Sequence, residues 1–131
     1  MKPQHIYIEL SGTSREIGLK YGREAKEMIH RNLAFYRTFF KEYARMEWIE
    51  AQQLAQSFIL LIQNSAPDLL DEMHAVAEGA GVSFEDILTL NCRSEVIFAR
   101  PDGCSFVGFL SEHGKDGHVY MGQTWDWLIP A

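Results

Sequence analysis

The sequence predicts an α+β fold, with a helical N-terminal segment followed by a β-hairpin. Three observations carry this. Apolar residues recur at three- and four-residue steps over most of residues 13–97. A turn signal, Pro101-Asp102-Gly103, then interrupts the chain. Beyond it the apolar residues fall into short strand-like runs separated by a Gly-rich turn. The expected division is 1–103 as a helical region with an N-terminal strand, and 104–131 as a hairpin.

The elements follow in order. His5 to Leu10 alternates, with Ile6, Ile8 and Leu10 on one face, which predicts a strand. Thr13 and Glu16 have capping-box spacing and open a helix. Ile17, Tyr21, Met28, Ile29, Leu33, Tyr36, Phe40 and Tyr43 carry its stripe as one continuous element. Gly18 and Gly22 lie four apart and predict close packing of another element on the first turns. Lys26, Glu27, Arg31 and Arg37 are expected on the solvated face. Phe35, Tyr36, Phe39, Phe40 and Tyr43 read as core, or in part as the wall of an acyl pocket.

Residues 50–63 predict a second helix. Asn64 to Pro67 ends it and starts a third, since proline suits a first helical turn. Glu78-Gly79-Ala80-Gly81 supplies its C-terminal cap. Ser83 with Asp86 opens a fourth helix, where Glu85 and Asp86 complement the N-terminal dipole. Phe106 to Leu110 and His118 to Trp125 form the hairpin strands around residues 112–117. His113 and His118 flank that turn and read as solvent-exposed.

Composition excludes several classes. A net charge of −6 without a basic cluster argues against nucleic acid as a partner. No stretch reaches the roughly 18 uncharged apolar residues of a membrane helix. The N-terminus lacks the apolar run of a signal peptide, so a cytoplasmic location is expected. The five histidines and two cysteines show no metal-ligand spacing, and no cofactor motif is present. In such a compartment Cys92 and Cys104 are reduced thiols. Cys92, at a helix end, reads as a small buried hydrophobe. Cys104 by itself fits two readings: the first residue of a strand after a turn, or a nucleophile presented by that turn.

Four segments resemble one family. They are Glu9 to Thr13 with Glu16-Ile17-Gly18 and Tyr21-Gly22; Glu72-Met73 through Ala77 to Val82, with Asp86-Ile87-Leu88 and Asn91; Asp102-Gly103-Cys104-Ser105; and Gly122-Gln123-Thr124-Trp125-Asp126-Trp127. Together they resemble the N-terminal part of the acyl-coenzyme A:6-aminopenicillanic acid acyltransferase family. These are autoproteolytic, C45-peptidase-like N-terminal-nucleophile (Ntn) hydrolases.

The resemblance implies a partial αββα Ntn fold, with 1–103 as the pro-segment or α-chain and 104–131 as the start of a β-chain. It implies cleavage at Gly103–Cys104, with Cys104 then acting as catalytic nucleophile on an amide or acyl-CoA thioester. Asp126, 22 residues on, would orient the new amino group. Ser105, Thr124 and Trp125 are the implied pocket residues. Thr124 departs from the family, where many relatives have asparagine, so an amide contact to substrate is lost there.

The resemblance further implies a large segment after Trp127 that supplies the oxyanion-hole asparagine and a supporting arginine. A lone hairpin and one strand cannot build a two-sheet sandwich. The expected partners are therefore that C-terminal segment or a second copy, beside a small-molecule substrate. The alternative function is a non-catalytic helical binding or assembly module.

Overall fold

The computed structural model describes residues 7–97 and 105–124. The chain divides into two units, residues 1–99 and 100–131. The first is helical and the second holds a two-stranded hairpin. Gly103, Cys104, Trp125 and Asp126 lie outside the described residues.

In the helical unit, α1 spans Ser14–Glu24 and α2 spans Lys26–Phe39. Thr13 caps α1 as predicted: Glu16 N–H donates to the Thr13 hydroxyl, and Thr13 N–H donates to Glu16 Oε2 at 2.8 Å. These Thr13 contacts hold the Glu16 carboxyl below its usual pKa. The expected single helix is instead broken at Ala25, whose backbone leaves helical geometry at φ −94° and ψ 8°. No proline or glycine marks the break. Ala25 is buried in the cluster that holds Ile29, Val76 and Ala80.

Helix α2 runs into a π-helical turn, Phe40–Ala44, which ends at Arg45 in the left-handed region with φ 54°. The second predicted helix is also divided, into α3, Trp48–Gln56, and α4, Ile59–Ser65. Ser57 explains the break. Its hydroxyl donates to Leu54 O at 2.6 Å and its own N–H donates to the same carbonyl, a local alternative to the helical ladder. Helix α5, Pro67–Ala80, starts on its proline and ends at Gly81, at φ 70° and ψ 41°. Helix α6, Phe84–Asn91, is capped by Ser83, and α7 is Arg93–Ile97.

Two buried clusters form the core. One joins Tyr36, Phe39, Phe40, Ala51, Ala55 and Leu88. The other joins Ile29, Leu33, Val76, Ala77 and Ile87. Of the predicted aromatic group, Tyr36, Phe39 and Phe40 are core, while Phe35 and Tyr43 are exposed. The expected N-terminal strand is corrected: Tyr7–Leu10 forms no strand, and residues 5 and 6 lie outside the described residues. This segment meets helices rather than a sheet edge. Ile8 packs on the second cluster, and Glu9 O accepts from Lys20 Nζ at 2.7 Å.

In the second unit, β1, Phe106–Phe109, pairs antiparallel with β2, Tyr120–Gln123. Phe106 faces Gln123 and Phe109 faces Tyr120. A short 3₁₀ turn, Ser111–His113, lies between them. His118 N–H donates to Asp116 Oδ1 at 3.2 Å. Tyr120 donates to Asp116 Oδ2, which holds the Asp116 carboxyl below its usual pKa.

Helices α1 and α5 touch through glycine. A Cβ on Gly18 would lie 2.9 Å from Ala75 Cβ and overlap the Glu72 carbonyl. One on Gly22 would overlap the Val76 carbonyl and lie 3.0 Å from Gly79 Cα. One on Gly79 would lie 2.5 Å from Leu19 O. Alanine at a helical glycine normally adds about 1 kcal/mol of stability. Here overpacking against backbone costs about 1–3 kcal/mol. Gly22→Ala should therefore lower the urea midpoint of unfolding, whereas a raised midpoint would mean that α1 and α5 do not meet at Gly22.

Candidate functional site

The hairpin's open end is the part of the predicted site that the structure describes. Ser105 N–H donates to Thr124 Oγ1 at 2.9 Å. Thr124 N–H donates to Ser105 O at 2.8 Å. Ser105 and Thr124 are thus brought together, both exposed, one residue beyond each strand. The Thr124 hydroxyl closes the hairpin, a use for this side chain that its place in the motif does not disclose.

Cys92 is buried, with 7% exposure, in the aromatic cluster. Burial pushes its thiol pKa up, and Glu95 nearby adds to the shift. A thiol held protonated inside a core is a poor nucleophile. The structure therefore gives Cys92 a packing role.

Asp86 is the strongest electrostatic feature among the described residues. It is 7% exposed, and side chains from α2 and α3 converge on it. Trp48 Nε1 donates to Oδ1 at 2.7 Å and Gln52 Nε2 donates to the same oxygen at 3.0 Å. Arg37 Nη2 reaches Oδ1 at 3.1 Å and Oδ2 at 3.3 Å. Ser83 Oγ accepts the Asp86 N–H at 3.1 Å. Burial pushes the Asp86 pKa up; the Trp48 indole, the Arg37 guanidinium and Ser83 outweigh it and hold the carboxyl below its usual value. The dipole role read from sequence is only part of this. Arg37, expected on a solvated face, is a partner in the cluster.

A cleft of about 290 Å³ opens in the same helical unit. Ile29, Met73, Val76, Ile87 and Leu90 make it apolar, and Glu72, Arg93, Asn32 and Asn91 add polar groups. Arg93 Nε donates to the Tyr36 hydroxyl at 3.0 Å, and Nη1 donates to Leu90 O at 2.7 Å. Its guanidinium lies 5.6 Å from the centre of the Tyr36 ring. Sequence reasoning missed this cleft because its walls come from helices far apart in the chain.

No family model matches the chain. Among curated proteins, it is similar to the acyl-coenzyme A:6-aminopenicillanic-acid-acyltransferase 40 kDa form of Emericella nidulans. The two are 26% identical over 126 residues, covering 94% of this chain and 34% of that protein. The chain resembles the penicillin acyltransferase family. It spans about a third of the length of this relative. No helix among the described residues is long and apolar enough to cross a membrane.

Asp86 yields a stability test with a defined sign. Its folded pKa lies below its unfolded value, near 3.9 for a free aspartate. Its contribution is therefore complete above that value and is lost as pH falls through the lowered folded one. Asp86→Asn turns an acceptor toward three donors as an amide, and should cost about 1.5–3 kcal/mol at neutral pH. Denaturant titrations at neutral and acidic pH should show a shallower loss of stability on acidification in the variant than in the parent. Parallel acid profiles would remove Asp86 as a source of that dependence.

Proposed function

We propose that this chain is the self-processing portion of a cysteine-nucleophile acyltransferase or amidohydrolase of the Ntn type. The observation that carries the proposal is the likeness to the acyltransferase along 94% of the chain, together with a Gly103-Cys104 pair at the start of the hairpin segment. Residues 1–103 would form the α-chain and 104–131 the start of the β-chain.

In the first stage the Cys104 thiol adds to the Gly103 carbonyl, and the peptide bond rearranges to a thioester. Water hydrolyses that thioester. Gly103 leaves as a carboxylate, and Cys104 gains a free α-amine. An α-amine has a pKa of about 7.7–8.0, so it accepts the thiol proton near neutral pH. In the second stage the thiolate attacks an amide or acyl-CoA carbonyl. The amine or CoA thiol departs with a proton, and water or an acceptor amine resolves the acyl-enzyme. Glycine before the cysteine leaves the attacked carbonyl unhindered.

Asp126 orients the α-amine in this reading. The hairpin register supports the assignment, because Ser105 and Thr124, the paired residues at its open end, are the neighbours of Cys104 and Trp125 in sequence. Cys104 and Asp126 thus lie in sequence one and two residues from the pair that closes the hairpin. Ser105, Thr124 and Trp125 would border the substrate. A full site also needs oxyanion donors, commonly the largest catalytic contribution, which the family resemblance assigns to a further segment.

A second reading, assembly through the hairpin, rests on its exposed apolar faces. Phe106 is 63% and Met121 72% exposed on one face, and Phe109 51% and Tyr120 50% on the other. An acyltransferase β-chain and a self-associating module both need a cover for these faces.

Intact-mass spectrometry tests the first reading. The expected result is two fragments meeting at Gly103/Cys104, and a single uncut mass for Cys104→Ala. A cut that persists in that variant would reject Cys104 as nucleophile, and an uncut parent would reject self-processing by this chain. After processing, iodoacetamide should label Cys104 far faster than the buried Cys92; equal, slow labelling of both would favour the assembly reading.

A further inference from the structure

The cleft in the helical unit has a chemistry of its own. Its floor, centred on Met73, Val76 and Ile87, offers no charge and no hydrogen bond from a side chain. A volume of about 290 Å³ holds roughly ten waters at about 30 Å³ each. Such a floor favours an apolar group that displaces them.

The polar groups then select what that apolar group carries. Arg93 provides one positive charge and Glu72 one negative charge. They are not paired with each other, and Glu72 has no ion-pair partner among the described residues. Asn32 and Asn91 are neutral and both donate and accept. A simple carboxylate would gain Arg93 but meet Glu72. A simple amine would gain Glu72 but meet Arg93. A ligand bearing both charges satisfies both.

Arg93 is also held ready. Nε on the Tyr36 hydroxyl and Nη1 on the Leu90 carbonyl fix the plane of the guanidinium, which lies over the Tyr36 ring. Nη2 has no hydrogen-bond partner among the described residues. A donor fixed in this way loses little freedom on taking a carboxylate oxygen.

We propose that this cleft binds an apolar α-amino acid, with its side chain on Met73, Val76 and Ile87, its carboxylate on Arg93 and its ammonium on Glu72. The site is independent of Cys104, and stands whether or not the chain processes itself.

The test is an NMR titration of the full chain with leucine, isocaproate, isoamylamine and glycine. Isocaproate lacks the ammonium of leucine, isoamylamine lacks its carboxylate, and glycine lacks its side chain. Leucine should give saturable shifts at the Met73 and Leu90 amides. Each analogue should bind about tenfold more weakly, the scale of one lost charged hydrogen bond or a buried side chain. Arg93→Gln risks unfolding, because Arg93 also holds Tyr36 and Leu90. Glu72→Gln is the safer variant, with its thermal midpoint read alongside. It should weaken leucine about tenfold and leave isocaproate as tight or tighter. Absence of saturable leucine shifts, equal binding of isocaproate, or a Glu72→Gln variant that binds leucine normally would each overturn the proposal.

Discussion

The helical unit depends on one close approach. Gly18 and Gly22 on α1 meet Gly79 on α5, with backbone where side chains would otherwise stand. Each of these glycines weakens its own helix. What the helices gain is contact between backbones, extended by Ala75 and Ala80 beside them. The crossing cannot slide without driving a carbonyl into a neighbouring turn. It fixes where α5 presents Glu72, Met73 and Val76, and so the shape of the cleft. It also places Val76 and Ala77 against Ile29 and Leu33.

Asp86 is a second constraint of a different kind. A buried carboxylate is costly unless its oxygens are satisfied. Here three side chains from α2 and α3 satisfy it, and Ser83 fixes its backbone. Such a cluster specifies an arrangement more than it adds stability, since an apolar replacement of similar shape is often as stable. Only one placement of α6 against α2 and α3 brings the donors together. Helix α7 follows α6 after one residue, so Arg93 inherits that placement. The glycine contact and the carboxylate cluster together set the two charged sides of the cleft.

These constraints differ in how far the sequence discloses them. Signals that act within one turn are plain in it. Thr13 with Glu16, Pro67 at a first turn, Gly81 at φ 70° and Ser83 with Asp86 all stand where their spacing puts them. The Gly18 and Gly22 pair predicts close packing, but not that its partner is α5. The break at Ala25 has no proline or glycine to announce it. The split at Ser57 does have one, a hydroxyl turned onto Leu54 O, but many serines lie in unbroken helices. Tyr7–Leu10 alternates like a strand and finds helices as neighbours instead. Arg37, Trp48 and Gln52 show no pattern in sequence, because their common target is 34 to 49 residues away. Of the predicted site residues, Ser105 and Thr124 are described, and the contact of the Thr124 hydroxyl with Ser105 N–H is one the motif does not disclose.

The hairpin links these questions of packing to chemistry. A two-stranded ribbon in water is marginal by itself. This one is apolar on both faces, as strands are when layers cover them on each side. Precise catalysis needs its groups on rigid elements. In the proposed reading, Cys104 and Asp126 lie in sequence within two residues of the Ser105–Thr124 pair. A layer that covers Phe106, Phe109, Tyr120 and Met121 would remove the exposed apolar area and hold the ends that Ser105 and Thr124 close.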